Sequence, residues 1–314
     1  MPIRRLLAYA AIYVLWGGSF LAVREIVVVV PPFFAAAFRF LLAGSLLIAW
    51  SFLRSRSSAP SSVVELDRKR ILGACLLGIL MFTTLYAGLF WAEIRVTSGI
   101  AAVISAMIPV WIFLGEMVVL RTQRATVLSV LGVLLGFGGV ALLALYTSGD
   151  PGKSSRAAVL VLIAGTLSWS VGTLLSRRLA LPRPHILNAG GQMAFGGLLL
   201  VILAVSVGEL RHFPPASQWL TTRVVVSMAY LVFAASLVAF TSYVWLIAHE
   251  PATRVASYAY VNPVFALIIG AVVAGEHLSL PQFAGAALVV AGVFATLTGK
   301  RTMVATGKRT VLQQ

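Results

Sequence analysis

The sequence predicts an all-α polytopic membrane protein of ten transmembrane helices, arranged as two inverted five-helix repeats. Three observations predict it. The residues are 60% hydrophobic and only 11% charged, with a mean hydropathy of +0.98, far outside the range of soluble domains. Apolar runs long enough to cross a bilayer core of about 30 Å recur from end to end. Landmark residues also recur at nearly constant spacing. Trp16 and Trp169, Arg39 and Gln192, Gly44 and Gly197, Gly132 and Gly285, and Gly139 and Gly292 each stand 153 residues apart. Trp91 with Trp245 and Pro109 with Pro263 stand 154 apart, a slip that a loop absorbs.

Charge and Pro/Gly punctuation divide the chain into spans. The first runs from Leu6 to Ala22, the second from Phe33 to Phe52, the third from Ile71 to Ala92, the fourth from Ser98 to Leu120 and the fifth from Val127 to Leu145. The turn-rich segment 147–156, TSGDPGKSSR, then divides a first repeat (1–146) from a second (157–299). The sixth span runs from Ala157 to Leu175, the seventh from Ile186 to Val207, the eighth from Val224 to Ala248, the ninth from Ala252 to Ala274 and the tenth from Pro281 to Thr298. A basic tail, 300–314, closes the chain. Arg4 and Arg5 precede an apolar run without a convincing small-residue cleavage site, so the first span is expected to be retained.

With the N-terminus in the cytoplasm, 17 of the 24 Lys and Arg residues fall in inner segments and 6 in outer ones; Arg39 lies within a span. This bias predicts a multi-pass protein of the cytoplasmic (inner) membrane with both termini inside. Each repeat has five spans, so the second copy starts on the opposite side and the copies are inverted. Inverted repeats suit alternating access, in which the copies exchange conformations.

Other classes find no support. The +15 net charge is spread over short loops rather than gathered in a patch for nucleic acid. A single cysteine, Cys75, excludes a disulfide framework. His185, His212, His249 and His277 lie in separate loops, with no metal spacing. No Gly-rich stretch continues into Lys and Ser/Thr as a nucleotide loop would. No enzyme chemistry and no cofactor are expected, and a gradient must drive any transport. The expected partners are the bilayer and a small-molecule substrate; protons as a coupling ion and exchange driven by the substrate's own gradient are both open, as are monomer and homodimer.

The candidate substrate-binding residues are Trp16, Ser19, Trp91, Trp169, Tyr243, Trp245, Tyr258 and Asn262. Tyr258 and Asn262 share one helical face, which Phe265 extends. They line a cavity or act as polar glue between helices. Tyr13, Trp16 and Phe20 follow helical spacing, and Trp16 and Trp169 lie too deep for an interfacial belt. Pro109 and Pro263 are expected to kink the fourth and ninth helices, for gating or for packing. Arg39 either contacts an anionic substrate group or braces the first repeat by pairing with Glu25 or Glu93. Glu116 either carries a coupled proton or pairs with Arg121 or Arg124 at the interface. His249 and Glu250 are expected to be solvated in a turn.

The stretches LWGGSF at Trp16, AFRF at Arg39, SGIAAVISAMIP before Pro109, SYAYVNPVFA around Pro263 and the following AGEHLS, in this order and duplication, resemble the EamA-type branch of the drug/metabolite transporter superfamily. The resemblance covers about Tyr9 to Gly299. It implies ten helices in two inverted repeats, a central cavity, and export or exchange of small metabolites, amino-acid-like or drug-like. The alternative is a non-transporting sensor or assembly subunit that inherited the fold. One departure stands out: where many members carry an acidic residue matching Glu276 in the other repeat, this chain has Thr122.

Overall fold

A computed structural model describes residues 2–55, 64–146, 155–250, 255–275, 279–299 and 301–302. Among them the chain is helical apart from short pairings, namely Gln123–Arg124 with Arg301–Thr302 and an isolated bridge between Glu65 and Arg183. Eight helices are long and apolar enough to cross a membrane: α1 (Ile3–Val27), α2 (Pro32–Arg54), α3 (Arg68–Ala92), α4 (Ser98–Val119), α6 (Arg156–Ser176), α7 (His185–Ser206), α8 (Thr222–His249) and α10 (Leu280–Thr298). The fifth and ninth expected spans appear as apolar helices too, α5 (Val127–Tyr146) and α9 (Tyr258–Ala274). Most boundaries fall within a few residues of expectation. The expected start of the ninth, at Ala252, lies outside the described residues; Val255 is helical, and α9 follows a turn at Ala256 and Ser257. Most of the inter-repeat segment and of the basic tail, with Arg254 and Glu276, lies outside the described residues.

Backbone chemistry explains the helices. In lipid every N–H and C=O must be satisfied within its own segment. Their ends carry the expected signals. Asp67, Thr97 and Thr221 accept the first free N–H groups of α3, α4 and α8. A capping box of Ser279 and Gln282 opens α10. Gly275, at φ 63°, ends α9 in the left-handed conformation that glycine adopts without a Cβ penalty.

Three spans depart from α-helical register. Residues Gly78–Thr84 of α3, Gly115–Val119 of α4 and Tyr230–Phe240 of α8 are wound as π-helix. Such widened turns re-aim side chains and loosen carbonyls from their usual partners. Hydropathy carries no record of register, which is why the sequence did not announce them.

Small residues set the packing. A Cβ on Gly44 of α2 would stand 2.6 Å from the Ala194 nitrogen of α7. One on Gly132 of α5 would stand 2.4 Å from the Thr296 nitrogen of α10. The α2–α7 and α5–α10 pairs therefore touch backbone to backbone, as small-residue membrane interfaces do. Large apolar side chains such as Leu160, Ile202, Val272 and Phe283 remain on the outside, where a bilayer covers them.

Candidate functional site

The centre of the molecule is aromatic. Trp16 of α1, Trp169 of α6, Tyr243 of α8 and Tyr258 of α9 converge from four helices. The Trp16 ring lies 6.2 Å from Trp169, 5.3 Å from Tyr243 and 5.1 Å from Tyr258. Phe82 and Phe240, in the π-helical segments of α3 and α8, extend the cluster at 6.1 and 6.2 Å from Trp169. Each well-placed ring pair adds about 0.5–1.5 kcal/mol beyond area burial, so the cluster is a firm plug.

Polar bonds fix its rings. The Trp16 indole N–H donates to the Ala235 carbonyl in the π-helical stretch of α8, at 3.0 Å. Tyr243 and Thr173 share a hydroxyl bond of 2.9 Å. Ser19 folds back on the Trp16 carbonyl at 2.7 Å. The Trp169 indole is buried beside the Tyr243 and Tyr258 hydroxyls, without a hydrogen bond of ordinary geometry.

On one side of the plug is a small chamber of about 60 Å³. Trp16, Ser19 and Phe20 face it from α1, Tyr86 from α3, Ser105 from α4, Trp169 from α6, and Tyr258, Asn262 and Pro263 from α9. Both α4 and α9 carry a proline here, and α4 is interrupted beside its own. The α4 helix breaks at Ala106 and Met107 and resumes with Pro109 in its first turn, and Pro263 sits inside α9. Having no N–H, Pro109 leaves the Ser105 carbonyl without its helical donor beside the chamber.

Asn262 is both glue and wall. Its surroundings assign the amide with nitrogen donating to the Tyr13 carbonyl at 3.0 Å and the Tyr258 carbonyl at 3.3 Å. Both donors are thereby spent, and only its oxygen remains for a ligand. Phe265 turns away from the chamber and packs where a Gly17 Cβ would stand, 2.6 Å off.

On the other side a vestibule of about 750 Å³ opens toward the face that carries the N-terminus. Tyr243, Phe240 and Met81 form its floor, Asn188 and Gln192 its wall, and Arg70, Arg177, Arg183, His185, His249 and Glu250 its mouth. Gln192 donates to the Asn188 side chain at 2.8 Å. Glu250 is buried rather than solvated, because Arg5 reaches its carboxylate at 3.1 Å. His249 stacks on Trp245, with ring centroids 4.5 Å apart, and faces His185 at 5.8 Å. Histidines from separate loops thus meet, but no group of three metal-ligating side chains occurs among the described residues.

At the opposite face, polar side chains tie the helix ends together. Arg24 of α1 donates to the Glu93 carbonyl at the end of α3 and to the Val96 carbonyl. Arg223 pairs with Glu25. Glu209 accepts from the Phe33 and Phe34 backbone N–H groups at 3.1 and 2.8 Å, sealing the start of α2. Burial raises the Glu209 carboxyl above the usual carboxylate range, although these two bonds oppose it.

Several expected residues lie elsewhere. Arg39 lines neither cavity. It is buried, donating to Ser236 at 3.0 Å and lying over the Phe40 and Tyr86 rings at 4.7 and 5.1 Å. The expected Glu25 partner is taken by Arg223, while Glu93 interacts with Arg39 electrostatically. Trp91 is covered by Arg95 at 3.8 Å, and Trp245 by Arg4 at 4.8 Å, both away from the two cavities. Glu116, buried in its π-helical turn, also lies away from them, and its backbone carbonyl accepts from Thr122 at 2.9 Å. Tyr86, Asn188, Gln192 and Arg177 were not among the expected site residues. The four-residue spacing of Phe82, Tyr86 and Phe90 was the available signal for the first.

Comparison with known proteins decides the family. The EamA-like transporter family matches residues 5–145 and 156–298. The chain belongs to it. It is a multi-pass membrane transporter rather than an enzyme by family. It is 30% identical over 295 residues to the inner membrane transporter YedA of Escherichia coli (strain K12), itself uncharacterized, covering 93% of this chain and 90% of the relative. It is 25% identical to the uncharacterized transporter YvbV of Bacillus subtilis (strain 168), covering 92% of this chain and 90% of the relative. A solved crystal structure at 19% identity superposes with a TM-score of 0.63 over 94% of this chain and 98% of its own, a likeness of fold.

Proposed function

We propose that this EamA-family protein is a secondary transporter that exports a small amino-acid-like or drug-like molecule by alternating access across the cytoplasmic membrane. One observation carries the reading: a vestibule open at one face ends on an aromatic plug, while Arg24, Glu25, Arg223 and Glu209 tie the helix ends of the opposite face together. A closed bundle has no use for such asymmetry.

The two five-helix units, 1–146 and 157–299, act as inverted copies in this scheme, with ten spans in all. Matched packing supports the pairing. α1 packs on α8 and α9, while α6 packs on α3 and α4. Exchanging the halves maps each set on the other. With both termini in the cytoplasm, as the basic loops favour, the vestibule faces inward. Substrate waits there, because the chamber beyond the plug has no room for it in this state. Tyr243, Trp16, Trp169 and Tyr258 then part to admit it between α4 and α9. Protons or the substrate's own gradient supply the drive.

The test is metabolite profiling of medium and cytoplasm in cells producing the wild type or Tyr243→Ala, both checked for membrane insertion. A compound that accumulates outside only with the wild type supports export through this plug. Purified protein that moves no solute from a broad metabolite panel into or out of liposomes would sink the reading.

A further inference from the structure

The vestibule differs from the chamber in charge. Arg70, Arg177 and Arg183 line it, and Glu250 is its acidic side chain among the described residues. The Glu250 carboxylate is engaged by Arg5 at 3.1 Å. Arg70 is held by Glu65 and Asp67, and Arg183 stands 3.5 Å from Glu65. Arg177 is different: its described bond goes to an uncharged acceptor, the Glu250 backbone carbonyl, at 3.0 Å. It is exposed to the vestibule, and close enough to the Tyr243 hydroxyl to interact with it electrostatically.

Among the described residues no ion pair joins Arg177 to a carboxylate, and a cation so placed at the mouth of a concave funnel produces a focused positive potential. Guanidinium also matches the fork of a carboxylate better than any other side chain does. Below it the floor is aromatic, through Tyr243 and Phe240, and the Asn188–Gln192 amides add polar contacts on one wall. We infer that the vestibule is a binding site for organic anions with an aromatic or apolar body, the anionic group held by Arg177 and the body resting on Tyr243 and Phe240. This names a substrate class for the transport path proposed above and rests on that reading for its role, although binding itself does not require transport.

The experiment uses the full-length protein in detergent and three probes sharing one body: 3-phenylpropionate, 3-phenylpropionamide and 3-phenylpropylamine. Calorimetric titration is expected to rank acid at least tenfold tighter than amide, with the amine weakest, and the acid preference is expected to shrink as salt rises. Arg177→Gln is expected to weaken the acid about tenfold and leave the amide unchanged, while Arg177→Lys retains the preference for the acid over the amine. Should Arg177→Gln fail to fold, Arg183→Gln is expected to weaken the acid in the same direction. Equal binding of acid and amine, binding of none of the three, or an Arg177→Gln protein that binds the acid like wild type would overturn the inference. Acid binding without any flux in liposomes would instead count against the transport reading and leave this site standing.

Discussion

Asn262 on α9 donates its amide nitrogen to the Tyr13 carbonyl on α1, 3.0 Å away. This bond joins the two stretches that match the family, 5–145 and 156–298, beside the chamber, and a carboxylate in its place would set acceptor against acceptor. Stability is therefore expected to fall from wild type through Asn262→Ala to Asn262→Asp. The alanine costs about 1–2 kcal/mol and the aspartate more, since a buried unpaired charge is added. Thermal unfolding in detergent at neutral pH reads the order. An aspartate variant as stable as wild type would show that the amide is turned the other way.

Glycine contacts separate neighbouring positions sharply. A Cβ at Gly132 would collide with the Thr296 nitrogen at 2.4 Å, whereas one at Gly138 would meet nothing within 4 Å. Gly132→Ala is expected to cost about 1–3 kcal/mol through forced separation of α5 from α10. Gly138→Ala is expected to be neutral or stabilising, because alanine is the better helix former. Unfolding midpoints of the two variants, measured side by side, check the contrast.

Arg39 and Ser236 are coupled by a buried bond of 3.0 Å. In a double-mutant cycle of Arg39→Lys and Ser236→Ala, the coupling is expected to reach about 1 kcal/mol. Lysine also loses part of the attraction to the Phe40 and Tyr86 rings, so Arg39→Lys is expected to be the more damaging single change. Strict additivity would remove Arg39 from the bracing role.

Acidity acts through Glu209. Its folded-state carboxyl titrates above the ordinary range because burial outweighs its bonds to Phe33 and Phe34. At low pH the group is protonated in both folded and unfolded chains, and its contribution is intact. As pH rises through the window between its unfolded and folded values, the unfolded chain ionises first, so stability falls. Unfolding midpoints followed from about pH 4 to 7 are expected to show this decline, and Glu209→Gln to flatten it. A decline of equal slope in the Gln variant would assign it to other groups.

Much of this architecture was legible because hydropathy reports depth. The deep positions of Trp16 and Trp169 followed from span boundaries, and both entered the central cluster. Hydropathy does not report direction around a helix axis. Trp91 and Trp245 therefore looked equivalent to them, yet Arg95 and Arg4 cover their rings outside the cavities. Register was equally hidden: the π-helical turns of α3 and α8 shift Phe82 and Phe240 into the plug, with no trace in an apolar run. Glu250 read as a solvated turn residue because its partner, Arg5, is remote in sequence. The vestibule amides, Asn188 and Gln192, fell inside a span whose average hydropathy stayed high.

The glycine seams also constrain how the protein is made. α5 docks on α10, and α2 on α7, through backbone contacts that cross from the first family match to the second. During synthesis α5 leaves the ribosome long before its partner α10. Its Gly132 and Gly139 faces then lack the α10 backbone that meets them in the folded protein. A chain cut before Leu280 carries every residue of the aromatic plug, yet it lacks the helix that completes the fold.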